Sequence, residues 1–268
     1  MACSKELDFA LPPGTDAHLS YYWTMDEAGD LDKVDSTSAH VWDTATGTSS
    51  PPGLFVNGIE LDCVPIFVAP FFHGLQNFAD PGFEFPAGST GVSFWFWIKQ
   101  TVDPDIPAPP APVALFDWFI ECHDAPYTTE AQVDLSLGLT NTAALNCRLK
   151  HNDFTLGNEA DVDFTFHPVT GAWHMIAGTL DLTNHTLNLY IDGVLTGSTV
   201  DAYNFYVTPL GDSWLKMSFA PGAQSLKVVV DEFGLSLKGA LSQSQITALY
   251  NGGAGVTWPG VGAIVPFP

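Results

Sequence analysis

Between Trp173 and Gly255 the chain alternates and turns in a way that leaves few folds open. Leu187, Leu189 and Ile191 alternate with Asn188, Tyr190 and Asp192. A period of two makes one strand face apolar and the other polar. Asp192-Gly193 then leads into Val194-Leu195, and an Asp-Gly pair between two such runs is a hairpin turn. Phe233, Leu235 and Leu237 alternate with Glu232, Gly234 and Ser236 in a further strand. A single helix is expected, from Ser242 to Tyr250. Ser242 can N-cap it, Gln245 three residues later completes a capping box, and Asn251-Gly252-Gly253 supplies a left-handed stop.

Upstream the same pattern recurs. Tyr21 to Glu27 reads as a strand, and Val133, Leu135, Leu137 and Leu139 alternate with polar or small residues. Ser93 to Ile98 is large and apolar on both alternating faces, which suits a strand covered on both sides or one with an exposed aromatic face. Pro104 to Pro112 holds five prolines and is expected to be an extended surface loop. No internal repeat and no second-domain boundary is visible. Many short strands and one short helix predict an all-β sandwich.

The chain has 268 residues, 46% of them hydrophobic, enough for one large β domain with a sizeable core. No run of about 18 apolar residues exists, so membrane insertion is not expected. Met1 to Asp8 has no apolar segment of a secretory signal. Eight basic residues stand against thirty acidic ones, a net charge of −22. Such a surface repels phosphate backbones, so nucleic acid is not an expected partner. The acids either keep the surface solvated or, in part, hold divalent cations. Cys3, Cys63, Cys122 and Cys147 show no zinc spacing. Cys122 and Cys147 lie in strand-like segments and either face each other or remain free buried thiols.

Several segments, in order, resemble one family. Tyr22-Trp23-Thr24-Met25-Asp26-Glu27 with Asp35-Ser36 looks like its opening strand and loop. Val92 to Lys99, with Trp97, is similar to its central aromatic strand. Trp173-His174 and Leu189-Tyr190-Ile191-Asp192-Gly193 resemble its hairpin, and Asp231-Glu232-Phe233 with Leu241 to Tyr250 its closing strand and helix. The chain thus resembles laminin-G-like, concanavalin-A-like lectin domains. The resemblance implies a jelly-roll β-sandwich of two antiparallel sheets with one short C-terminal helix. It places the domain at residues 21–257, between an N-terminal arm (1–20) and a C-terminal tail (258–268). The arm, the proline loop and the middle from Pro112 to Val169 depart from the family pattern.

The candidate site residues follow from chemistry. Asp231 is expected on a core face with Val229, Phe233 and Leu235, and a buried carboxylate needs hydrogen-bond donors or a cation. With Asp26 and Asp35 it would bind calcium, the implied cofactor, while backbone or indole donors are the plainer alternative. Trp95 and Trp97 share a strand face that would stack on sugar rings, the alternative being core packing. Asp153, Asp161 and Asp163 are expected in a solvated loop or as the polar rim of such a site. No catalytic residue is assigned. Asp117 and Glu121 lie on one strand face but lack the third acid of glucanases of this fold, and His123, His151, His167, His174 and His185 form no triad spacing. Asn184-His185-Thr186 fits a glycosylation sequon.

The resemblance implies binding or building rather than catalysis. The expected function is a non-enzymatic structural or adhesive component of a virus particle, such as a phage capsid decoration or tail appendage, located in the virion. Its partners would be other virion proteins or copies of itself, met by the arm and by the tail from Trp258, with surface glycans as a further ligand. A free, extracellular carbohydrate-binding lectin module and a glycoside hydrolase are the alternatives.

Overall fold

A computed structural model describes residues 20–23, 44–46, 48–49, 52–55, 58–63, 73–77, 89–102, 113–123, 130–139, 145–153, 158–166, 171–201, 213–219 and 226–256. The arm up to residue 19, the tail, the proline loop, Asp26 and Asp35 lie outside them. The first strands are β1 (Ser20–Trp23), β2 (Thr44–Thr46), β3 (Thr48–Ser49), β4 (Ile59–Cys63) and β5 (His73–Asn77). Long strands follow: β6 (Gly91–Val102), β7 (Val113–His123), β8 (Glu130–Leu139), β9 (Leu145–Asp153) and β10 (Asn158–Phe166). Then come β11 (Trp173–Asp181), β12 (Thr186–Ile191), β13 (Val194–Val200), β14 (Ser213–Phe219), β15 (Leu226–Ser236) and the helix α1 (Gln243–Tyr250).

The strands form two antiparallel sheets. One has eight strands, ordered β13-β12-β11-β6-β15-β4-β3, with β1 also paired to β15. The other has seven, ordered β10-β9-β8-β7-β14-β5-β2. The sheets face each other: a Cβ added at Gly197 of β13 would stand 2.3 Å from Val162 of β10, and one at Gly178 of β11 would stand 3.0 Å from Leu149 of β9. Phe94, Phe96, Ile176, Leu187, Leu189, Phe233 and Leu235 fill the gap from one side, and Cys147, Leu149, Ala160 and Val162 from the other. Phe96 lies 6.2 Å from Phe94 and 6.5 Å from Phe233, ring to ring. The β-sandwich expected from the alternation, of the jelly-roll kind that the resemblance implies, is the observed architecture.

The local signals hold where they were strongest. Asp192 (φ 51°) and Gly193 (φ 75°) make the left-handed turn of the β12–β13 hairpin. Ser242 caps α1 in a full capping box with Gln245, and Asn251 ends it in the left-handed region.

The outer face of the eight-stranded sheet is closed. Leu241, Ile246 and Leu249 lie over Trp95, Trp97, Met175, Ala177 and Tyr190. Tyr250 stacks on Trp97 at 5.7 Å. Ser93 Oγ fixes the approach to the helix by accepting from Leu241 N at 2.7 Å and donating to Gly239 O at 2.9 Å. Gln243 Nε2 and Thr247 Oγ1 both donate to the hairpin carbonyl of Gly193, at 2.7 and 3.0 Å.

One expectation fails at β15. Asp231 pairs with Trp97 but Gly234 with Trp95, so β15 spends three residues where β6 spends two. The extra residue is Glu232, held at φ 52°, and such a bulge inverts the alternation beyond it. Asp231 therefore shares the outer face with Trp97, whereas Phe233 and Leu235 share the inner one. At the same point the neighbour of β15 changes, from β4 (through Val230) to β1 (from Phe233).

Candidate ligand-binding face

The seven-stranded sheet differs from its partner in having a charged outer face. On β9, Cys147, Leu149 and His151 are buried between the sheets, and Arg148 and Lys150 point the other way. On β10, Ala160 and Val162 are inside, with Glu159, Asp161 and Asp163 outside. Arg148 reaches three acids, Asp161 at 3.0 Å, Glu159 at 3.3 Å and Asp163 at 3.5 Å, and its side chain is 39% exposed. Lys150 pairs with Glu159 at 3.1 Å. Asp161 and Asp163 thus stand on a strand, not in the loop expected for them, and so does Asp153 at the end of β9.

Register carries this face across the sheet, because residues opposite each other in an antiparallel pair share a face. Lys150 is opposite Asp134, Asp134 opposite Phe119 and Phe119 opposite Lys216. In the next row outward Asn152, Gln132, Glu121 and Trp214 follow one another. On the other side Arg148, Ser136, Asp117 and Ser218 do the same. The strand positions on this face are therefore acidic, amide, hydroxyl and aromatic, with Phe119 at the centre.

Asp117 and Glu121 fall on this face as expected. Four residues along a strand span about 13 Å at roughly 3.3 Å each. A retaining glycosidase needs its carboxyls about 5–5.5 Å apart and an inverting one about 6.5–9.5 Å. The pair is too widely spaced for either. Register adds an acid that spacing along the chain could not reveal: Asp134 of β8 sits diagonally between them, about 7–8 Å from each by ordinary sheet geometry.

The other predicted site residues lie elsewhere. Trp95 and Trp97 are 2% and 1% exposed beneath α1, so neither presents a ring face to a sugar, and the expected stacking platform is corrected to a packed layer. Asp231 is buried with its oxygens taken by amides: Leu54 N donates to Oδ2 at 2.7 Å and Glu232 N to Oδ1 at 3.0 Å. It pins the segment 52–55 over Trp97, an arrangement to which Lys99 adds by donating from Nζ to Pro52 O at 3.4 Å. Among the described residues no three His, Cys, Asp or Glu side chains are grouped to hold a metal ion.

His174 closes the hairpin with Asp192 at 2.8 Å. His151 meets Asp201 at 2.6 Å with both side chains at 0% exposure, deep between the sheets. Burial, followed by the charge of Asp163, pushes the Cys147 thiol up. Cys122 pairs with Ala131 and Cys147 with Leu137. Those β8 positions are six residues, about 20 Å, apart. A disulfide needs Cα atoms within about 7 Å, so these two thiols do not form one. Cys147 is free.

The comparison with known proteins agrees with the fold. The model of the concanavalin A-like lectin/glucanases superfamily, in its laminin G form, matches residues 78–247. The chain belongs to this superfamily. The superfamily chain is similar in structure to the binding domain of Paraclostridial Mosquitocidal Protein 1, with a TM-score of 0.59 and 16% identity over 87% of this chain and 51% of that one. It is similar to the botulinum neurotoxin serotype D binding domain, with a TM-score of 0.58 and 14% identity over 89% and 52%. The binding domain of botulinum neurotoxin DC in complex with SialylT gives 0.52 and 13% over 88% and 51%. The chain spans about half the length of these structures. At such identities the likeness is one of fold. No curated protein matches the chain, and no helix among the described residues is long and apolar enough to cross a membrane.

Proposed function

We propose that this lectin-fold chain is a non-catalytic binding module whose ligand is a glycan or a glycan-bearing receptor, taken up by the outer face of the seven-stranded sheet. The observation that carries the reading is the contrast between the two outer faces. One is sealed by α1, and the other places Phe119 and Trp214 in cross-strand rows with amide, hydroxyl and carboxylate positions. Aromatic area with a few polar groups is what sugar recognition requires. Support for binding rather than turnover comes from the similar solved structures, which are binding domains of toxins. The test is a panel of soluble oligosaccharides titrated into the purified chain and into Phe119→Ala and Trp214→Ala. Binding that either substitution abolishes supports the reading. No binding by any glycan, or new reducing ends that vanish in Asp134→Asn, overturns it.

A second reading sets the module on a virus particle, as a capsid decoration or tail appendage. Val194, Leu195 and Val200, exposed by 62%, 45% and 74% on the edge strand β13, favour it, since exposed apolar edges meet neighbouring proteins. Light scattering that shows a monomer unable to bind particles would retire it. A calcium ion held by Asp26, Asp35 and Asp231 belongs to the same proposal. The burial of Asp231 needs no cation, because amides already meet its oxygens, so the ion would draw on its remaining lone pairs. A chelator that leaves the melting temperature unchanged would remove it.

A further inference from the structure

We propose that Asn184 is an attachment site for an N-linked glycan, a modification that does not depend on the ligand proposed above. Of the chain's asparagines it is the one followed two residues on by a serine or threonine, with His185 rather than proline between, the pattern that glycosylating transferases accept. The fold puts that pattern where a sugar fits. Asn184 stands in the turn between β11 and β12, and Thr183, Asn184 and His185 are all exposed. Other groups shape the turn. Asp181 Oδ1 accepts from the backbone amides of Thr183 and Asn184, each at 2.9 Å. Asp201 N donates to His185 O at 2.8 Å, and His185 adopts φ 53°. The Asn184 carboxamide has two N–H donors, and Nδ2 donates to Asp181 Oδ2 at 2.7 Å. Attachment needs only one of those hydrogens. Nδ2 bonds to C1 of an oligosaccharide carried on a lipid pyrophosphate, and the C1–O bond breaks. The lipid pyrophosphate leaves with that electron pair, and one amide proton passes to a base of the transferase. The product is a secondary amide with one N–H left for Asp181, so the bonds of the turn survive. The hydroxyl of Thr186 accepts from Asn188 Nδ2 at 3.3 Å and keeps its own proton to donate. Opposite Thr186 in register is Val200, 74% exposed, so among the described residues the space beside the turn is open.

The test expresses the full chain behind a cleavable secretory leader in insect cells and reads the intact mass of the chain recovered from lumen and medium. The same chain made in a bacterial cytosol serves as the unmodified reference. One glycan per chain is expected, removed by peptide N-glycosidase, retained in Thr186→Ser and lost in Asn184→Gln. The glycosylated chain should melt no more than about 2 °C below the reference, because the turn keeps its bond to Asp181; loss of that bond would lower the midpoint by about 2–4 °C in a domain of this size. A chain that carries no glycan, a glycan that persists in Asn184→Gln, or a melting temperature lowered by more than about 2 °C on attachment would overturn the inference.

Discussion

Glu232 is the residue whose perturbation tests the fold most sharply. It is the extra residue of the β15 bulge, it is 1% exposed, and burial pushes its carboxyl from 4.5 up to about 8. Its proton is therefore bound in the folded chain and released from the unfolded one across that interval. With the folded value raised, stability is greatest below about pH 4.5. It falls as pH rises toward 8 and levels off beyond, because the folded state holds the extra proton. At 1.36 kcal/mol per pH unit the loss amounts to about 3–5 kcal/mol. Glu232→Gln keeps the shape and the left-handed backbone while removing the ionisation. Urea unfolding of both proteins at about pH 5 and pH 8.5 isolates the effect, since the other acids titrate alike in each. The two should be nearly equal at the lower pH, with Glu232→Gln ahead by several kcal/mol at the higher one. Parallel curves would refute the claim that this carboxyl is held neutral by burial.

The remaining expectations concern packing. Gly234→Ala would place a Cβ 1.9 Å from Trp95 Cζ2 and should cost about 3 kcal/mol or more by thermal unfolding, as overpacking of a rigid core does. Asp201→Ala removes one half of the fully buried pair with His151 and should cost about 3 kcal/mol. Asp231→Ala releases the amides of Leu54 and Glu232 and should both lower stability by about 2 kcal/mol and change the near-ultraviolet circular dichroism of Trp97. Ser242→Ala breaks the capping box and should cost about 1 kcal/mol.

Much of the fold was legible because its determinants are local. The Asp192-Gly193 turn, the alternation of β12 and the Ser242–Gln245 box each depend on residues within one turn or hairpin, and each is where the pattern put it. β15 was misread for an equally physical reason. A period-two reading assumes unbroken pleating, and one residue in a left-handed conformation shifts every later side chain to the opposite face. Nothing about Glu232 marks it in sequence, since glycine rather than glutamate signals φ above zero. The bulge moved Asp231 from the inner face to the outer one. There the reason for its burial is the segment 52–55, remote in sequence and invisible to any window.

The proposed binding face was hidden in a different way. Ser93 to Ile98 is aromatic on both sides, and sequence cannot say which side a helix will later cover; α1 begins some 150 residues downstream of Ser93 and seals the one with Trp95 and Trp97. The opposite sheet offered only isolated signals: a lone Asp117 and Glu121 on β7, an alternating β8, scattered acids on β10. Cross-strand register is what assembles them, since Asp134, Phe119 and Lys216 come from three strands spread over about a hundred residues yet occupy one row. Register is set by pairing across long loops, a property of the whole sandwich and not of any segment. The same logic identifies the decisive variant. Asp134→Asn changes one charge at the position in the middle of that row, so a loss of binding with unchanged melting temperature would place the ligand on this face. A loss of both would show that the row is held together by its own charges instead.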